Sequence, residues 1–211
     1  MPGGKRRPID SIPRPSPQEL YQRIKTKLAG DITKQAFAST LWISAAGVSE
    51  ICQNKEKNWE GLKTINFREE PTVIDTRTGE KAMVSCLDRV YTEKYRKPHW
   101  RTIPTQEEDA DDKPFIEIIQ EYLKQAKEVN GNPNAPLFPF RRNHAFRIIK
   151  KLDPTWYPHC IRHWRLTYLS ADKGYTDHDL RTICAWHDTR PASVYVKYDW
   201  RNIVRRHYYN K

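Results

Sequence analysis

The sequence predicts a mixed α+β domain, mostly helical, with a small three-stranded antiparallel sheet. Two stretches with apolar residues at helical spacing, up to about residue 53 and again from residue 115, flank a central stretch rich in β-branched and aromatic residues and punctuated by turn residues. The length of 211 residues suits one domain. Only 37% of residues are apolar, but seven Trp, eleven Tyr and six Phe are enough to fill a core, which argues against simple disorder.

Residues 1–15 mix Pro, Gly and basic side chains and read as a flexible basic arm or linker. Ser16, Pro17 and Glu19 announce the first helix as N-cap, first helical residue and capping-box partner. Leu20, Ile24 and Leu28 then share a stripe, and Gly30 closes the helix. Asp31 caps a second helix, whose apolar face runs from Ile32 through Ala36, Phe37, Thr40 and Leu41 to Ile43. After a break near Gly47, Val48 to Gln53 reads as a short helix. Thr72–Asp75, Ala82–Cys86, Arg89–Thr92 and His99–Ile103 are the β-rich segments, with turns at Arg77–Gly79 and Arg96–Pro98. The acidic run Glu107–Asp112 reads as a solvated loop. Helical spacing returns at Phe115, Ile118, Ile119, Tyr122 and Ala126, and again at Ala145, Ile148, Ile149 and Leu152. A helix from Pro158 to Asp172 and another capped by Thr176 follow, and a last stretch after Pro191 holds Val194, Tyr195 and Tyr198.

The net charge of +11 favours a polyanionic partner, because Lys and Arg neutralise phosphates and release counterions. The basic excess is uneven: the last 62 residues hold twelve basic against six acidic side chains. The chain has no apolar run near the roughly 18 residues a membrane span needs, and no apolar signal-peptide core. Its four Cys are dispersed without a Cys-x-x-Cys, which fits a reducing, intracellular setting better than a disulfide scaffold.

The densest chemistry lies in Tyr157-Pro-His-Cys-Ile-Arg-His-Trp-Arg-Leu-Thr-Tyr-Leu169 and Leu180-Arg-Thr-Ile-Cys-Ala-Trp-His-Asp-Thr-Arg-Pro-Ala-Ser-Val-Tyr195. His159 and Arg162, three apart near a helix start, share a face and suit a phosphate: Arg offers a two-pronged donor, His a proton donor or acceptor. Trp186 precedes Tyr195 by nine positions. Cys160-x-x-His163 and Cys184-x-x-His187 have ligand types that zinc uses, but they sit in two strong helical patterns with no knuckle glycine, so no metal is expected.

The order and spacing of His159, Arg162, Trp186 and Tyr195 resemble the end of the active site in the catalytic domain of the tyrosine recombinase (phage integrase) family. The resemblance spans roughly residues 16–200. It leaves 201–211 as a basic aromatic tail and has no counterpart of the family's N-terminal core-binding domain. It implies the tyrosine recombinase catalytic-domain fold, with Tyr195 as nucleophile on a DNA phosphodiester, Arg162 holding the phosphate, His159 assisting proton transfer and Trp186 packing on Tyr195. Lys94 to Pro104 resembles the family's hairpin with its catalytic lysine; a gapless match puts Arg96 at that position, and either Lys94 or Lys97 fills the role. His163 matches a supporting histidine, and Arg96, Arg101, Arg165 and Arg181 are expected to contact DNA.

One position departs from the pattern. In Ser44-Ala-Ala-Gly-Val-Ser-Glu50, Gly47 stands where the family has an arginine that contacts the scissile phosphate. The chain therefore reads either as a recombinase domain or as a DNA-binding module of the same fold with impaired cleavage, ahead of an ordinary basic regulator with chance matches. The resemblance further implies double-stranded DNA as partner, no cofactor, self-association on DNA through the tail, and a cytoplasmic, prokaryotic mobile-element setting.

Overall fold

The structure, a computed structural model, describes residues 11–54, 58–74, 81–92, 99–105 and 109–195. Most of the basic arm, the turns at 77–79 and 96–98, Lys94, Arg96, Lys97, Tyr198 and the 201–211 tail lie outside the described residues.

Helix α1 (Pro17–Lys27) begins as its sequence predicts: Ser16 Oγ accepts the Glu19 N–H at 3.1 Å, and Glu19 Oε2 accepts the Ser16 N–H at 2.7 Å. Helix α2 (Ile32–Ser44), capped by Asp31, is the centre of the core, with every residue from Gln35 to Ser44 buried. A helix that is apolar nearly all round must be enclosed. Here α4 (Lys113–Asn130) and α6 (Pro158–Ala171) pack against α2, with α1 and α5 (Arg142–Leu152) beside them. Trp42 of α2 meets Phe115 of α4 and Tyr168 of α6, at ring centroid distances of 5.8 and 5.5 Å. Each such fully buried large side chain contributes about 1.5–3 kcal/mol of burial free energy.

The sheet has the order β1–β2–β3, all antiparallel: β1 (Phe67–Ile74), β2 (Lys81–Thr92) and β3 (His99–Pro104). Its first strand starts earlier than the apolar pattern suggests. The two expected segments Ala82–Cys86 and Arg89–Thr92 are one continuous strand, interrupted by a bulge. The register with β3 shifts between Leu87 and Val90, and Arg89 takes a left-handed backbone at φ 54°. The bulge lets Leu87 and Val90 both face the core. The central strand β2 leans on α3 (Val48–Ile51) and the edge strand β3 on α7 (Asp177–Cys184), the elements that carry the site. After α7 the chain passes through a 3-10 turn at Ala192–Val194 and reaches Tyr195, the last described residue; the rest of the expected helical stretch lies outside the described residues. No described helix is long and apolar enough to cross a membrane.

Candidate active site

Three helix ends and one turn converge on an open cleft of about 540 Å³, lined by Gly47, Ser49, Glu50, His159, Arg162, Trp186, Pro191 and Tyr195. The sequence-predicted set His159, Arg162, Trp186 and Tyr195 is thus brought together, and the wall opposite is the segment around Gly47.

That segment exists because α2 ends abruptly. Ala45 adopts a left-handed conformation (φ 48°), and α3 starts afresh with Gly47 as its N-cap. Glu50, at the third position of α3, turns back so that its Oε2 accepts the Gly47 N–H at 2.7 Å. On α6, Pro158 opens the helix; Cys160, Ile161 and Trp164 face the core, and His159 and Arg162 stand on the opposite side, above the cleft. Arg162 Nη1 donates to Glu50 Oε2 at 3.0 Å. At the end of α7, Ala185 is left-handed (φ 50°), and the Trp186 N–H donates to the Arg181 carbonyl at 2.9 Å, which turns the indole back over the site. The Trp186 and Tyr195 rings stack at 5.9 Å with planes 12° apart, and the His163 ring lies 5.0 Å from that of Tyr195.

Burial raises the Tyr195 phenol above its ordinary range; the Arg162 charge pulls it the other way and Cys184 adds a smaller upward push. Arg162 loses hydration on burial, which alone would lower it, but the Glu50 carboxylate, Cys184 and Tyr195 together outweigh this and hold its cationic form more firmly than usual. Burial raises the Cys184 thiol, so the group is a neutral apolar neighbour at ordinary pH. Among the described residues no cluster of three or more His, Cys, Asp or Glu side chains is placed to hold a metal ion.

Two of the arginines expected at a DNA surface are elsewhere. Arg165 is buried and donates from both Nη atoms to Asp112 at 2.6 Å each, with its guanidinium 5.2 Å from the Trp42 ring centre. Its place was legible in the helix: Arg165 falls one turn from Ile161 and Leu169, on the core face of α6. Arg101 is also buried, donating from Nη2 to Glu50 Oε2 at 3.0 Å and from Nη1 to the Ile183 carbonyl. Strand alternation puts it on the same face as buried Ile103. Arg181 is exposed, as expected, and its Nε donates to the Trp186 carbonyl at 3.3 Å. The site residue not expected from the sequence is Glu50. Its signal was present in the spacing, since a carboxylate three residues after a helix N-cap turns back onto that cap.

No protein-family model matches the chain, and no curated protein matches it in sequence. Its fold does match solved structures. One is a XerA recombinase, at TM-score 0.58 and 17% identity, covering 93% of this chain. Another is the Tn1549 transposon integrase in complex with transposon right-end DNA, at TM-score 0.51 and 16% identity, again covering 93% of this chain. The chain has the tyrosine recombinase catalytic-domain fold. It spans 65% of the length of the XerA structure and 67% of the integrase structure. Within this fold Tyr195 follows the last described turn, α6 supplies His159 and Arg162, and the cleft wall at α3 presents Gly47.

Proposed function

We propose that this domain cleaves and rejoins DNA strands through a covalent link to Tyr195. The observation that carries the reading is the convergence of Tyr195, Arg162, His159 and Trp186 on one cleft, from segments separated in sequence and in the family's spacing. The likeness to a recombinase and to an integrase solved with DNA supports it, as does the charge of +11.

In this reading the Tyr195 oxygen attacks a backbone phosphorus and forms a 3′-phosphotyrosyl bond, while the bond to the 5′ oxygen breaks. Arg162 stabilises the charge that grows on the non-bridging oxygens, held in place by Glu50. His159, exposed at the cleft mouth, assists proton movement at the tyrosine or the phosphate. Trp186 fixes the phenol ring by stacking and offers an indole N–H. A lysine of the β2–β3 connection, Lys94 or Lys97, protonates the departing 5′ oxygen. The link conserves the phosphodiester's energy, and attack by a 5′-hydroxyl of another strand reverses the step and exchanges strands. His163 supports the tyrosine ring, while Arg96 and Arg181 contact the DNA backbone. The 201–211 tail docks on a neighbouring copy on DNA.

A nicked suicide duplex tests the reading. A protein–DNA adduct resistant to denaturant, and lost in Tyr195→Phe, is expected; no adduct from the chain and none from Gly47→Arg, with DNA binding intact, sinks it. The second reading, a DNA-binding module with impaired cleavage, is favoured by Gly47 alone, and an adduct that forms only in Gly47→Arg would establish it.

A further inference from the structure

Glu50 is the only carboxylate lining the cleft among the described residues, and one of its oxygens is heavily used. Oε2 accepts the Gly47 N–H at 2.7 Å, Arg101 Nη2 at 3.0 Å and Arg162 Nη1 at 3.0 Å. Two guanidinium groups share one carboxylate, so the cluster keeps an excess positive charge. Arg101 does not line the cleft. It stands behind Glu50 with its side chain 2% exposed, and the Ile183 carbonyl of α7 anchors it from the other side. Its Nε–H has no acceptor among the described residues. A fold that needed only packing there would be served as well by an apolar side chain, because burying a guanidinium sacrifices its hydration.

Gly47 opens onto the same cluster. A Cβ at that position would lie 3.7 Å from Glu50 Cδ and 3.8 Å from Arg162 Nη1, in ordinary contact. An arginine at 47 would therefore add its charge where Arg101 already adds one. We propose that Arg101 is a positioning residue that supplies the electrostatic part of the missing arginine's contribution: it neutralises Glu50 from behind, so that Arg162 presents an uncompensated charge to a phosphate in the cleft. Arg101 does not itself touch the phosphate, so the hydrogen bonds that an arginine at 47 would give are not replaced. This inference rests on the reading of the cleft as the seat of a DNA phosphate.

The test reads charge in the free protein. The full chain is labelled with ¹³Cζ-tyrosine, Tyr195 is identified by its loss in Tyr195→Phe, and its titration is followed by NMR. The groups facing that phenol are Arg162, His163, His159 and Trp186 in the cleft and Cys184 behind it. Cys184→Ala serves as the thiol control. Arg101→Met should raise the Tyr195 midpoint by on the order of half a pH unit, because it leaves Glu50 with one partner. Arg101→Lys should hold most of the original value. Gly47→Arg added to Arg101→Met should lower the midpoint again, and so should Glu50→Gln added to Arg101→Met, which removes both charges and remains readable if the single variant does not fold. An unchanged midpoint in Arg101→Met, or no return in both double variants, overturns the proposal. Adduct formation on the suicide duplex should fall about tenfold in Arg101→Met and recover in the Gly47→Arg double variant. If the midpoints shift as expected but no variant forms an adduct, the charge role stands and the strand-cleavage reading falls.

Discussion

Helix α6 holds two arginines one turn apart, Arg165 buried and Arg162 partly exposed, and they live in opposite electrostatic worlds. Arg165 meets Asp112 in a two-bond pair, both side chains under 5% exposed, with Trp42 and Tyr168 over the guanidinium. That pair is closed and neutral. Arg162 shares Glu50 with Arg101, at 13% exposure, beside an open cleft. That cluster is open and keeps a charge in hand. Same helix and same residue type, one turn apart, thus give a structural staple at Arg165 and an anion receptor at Arg162. The count of partners, rather than burial alone, separates them.

The comparison breaks most visibly at Asp112. Asp112→Ala leaves Arg165 buried and unpaired and should cost about 3–5 kcal/mol of stability, read as a lower urea midpoint. Adduct formation per folded molecule should be unchanged. Arg162→Ala should do the reverse: denaturation shifts less, while adduct formation falls by a factor on the order of 10²–10³, or about 2.7–4 kcal/mol. Gly47→Arg should raise adduct formation by roughly 10- to 100-fold, the worth of one charge-assisted hydrogen bond at about 1.5–3 kcal/mol.

The smallest effect is set by two partly buried carboxylates. Asp109 and Asp153 lose hydration on partial burial, which alone would raise them. Hydrogen bonds and cations overcome this, Lys173 for Asp109 and Thr155 with Arg23 for Asp153, so both titrate below the ordinary 3.8. A depressed carboxylate stabilises the fold at pH above that ordinary value and loses its contribution as pH falls through its lowered one. Melting temperature should therefore be flat from neutral pH to about 5 and decline below 4, by less than about 1 kcal/mol for each pair. A fall that begins near pH 6 would contradict this assignment.

Helix starts were the most legible part of the sequence, because caps are local. Ser16, Asp31 and Thr176 each accept the N–H three residues on, as their types predict. The grouping of His159, Arg162, Trp186 and Tyr195 on one cleft was legible only through the family resemblance carried by their order and spacing. The fates of Arg101 and Arg165 were only half legible. Periodicity assigns both to buried faces, but the carboxylates that admit them, Glu50 and Asp112, lie 51 and 53 residues away in sequence. Long-range pairing of this kind is decided by packing, not by any window of sequence. Of the helical stretch expected after Pro191, the described residues show a 3-10 turn at Ala192–Val194, which delivers Tyr195 to Trp186; Tyr198 lies outside the described residues.

The β2 bulge has a consequence at the level of ladder parity. Leu87 pairs with Ile103, so in an unbroken ladder Arg89 would stand opposite Arg101. The extra residue moves Val90 into that place and leaves the Arg89 side chain 73% exposed. A single left-handed residue therefore keeps like charges from meeting across the strands. Removing or adding one residue between Leu87 and Val90 would change which neighbour faces Arg101 without altering any residue of the cleft itself.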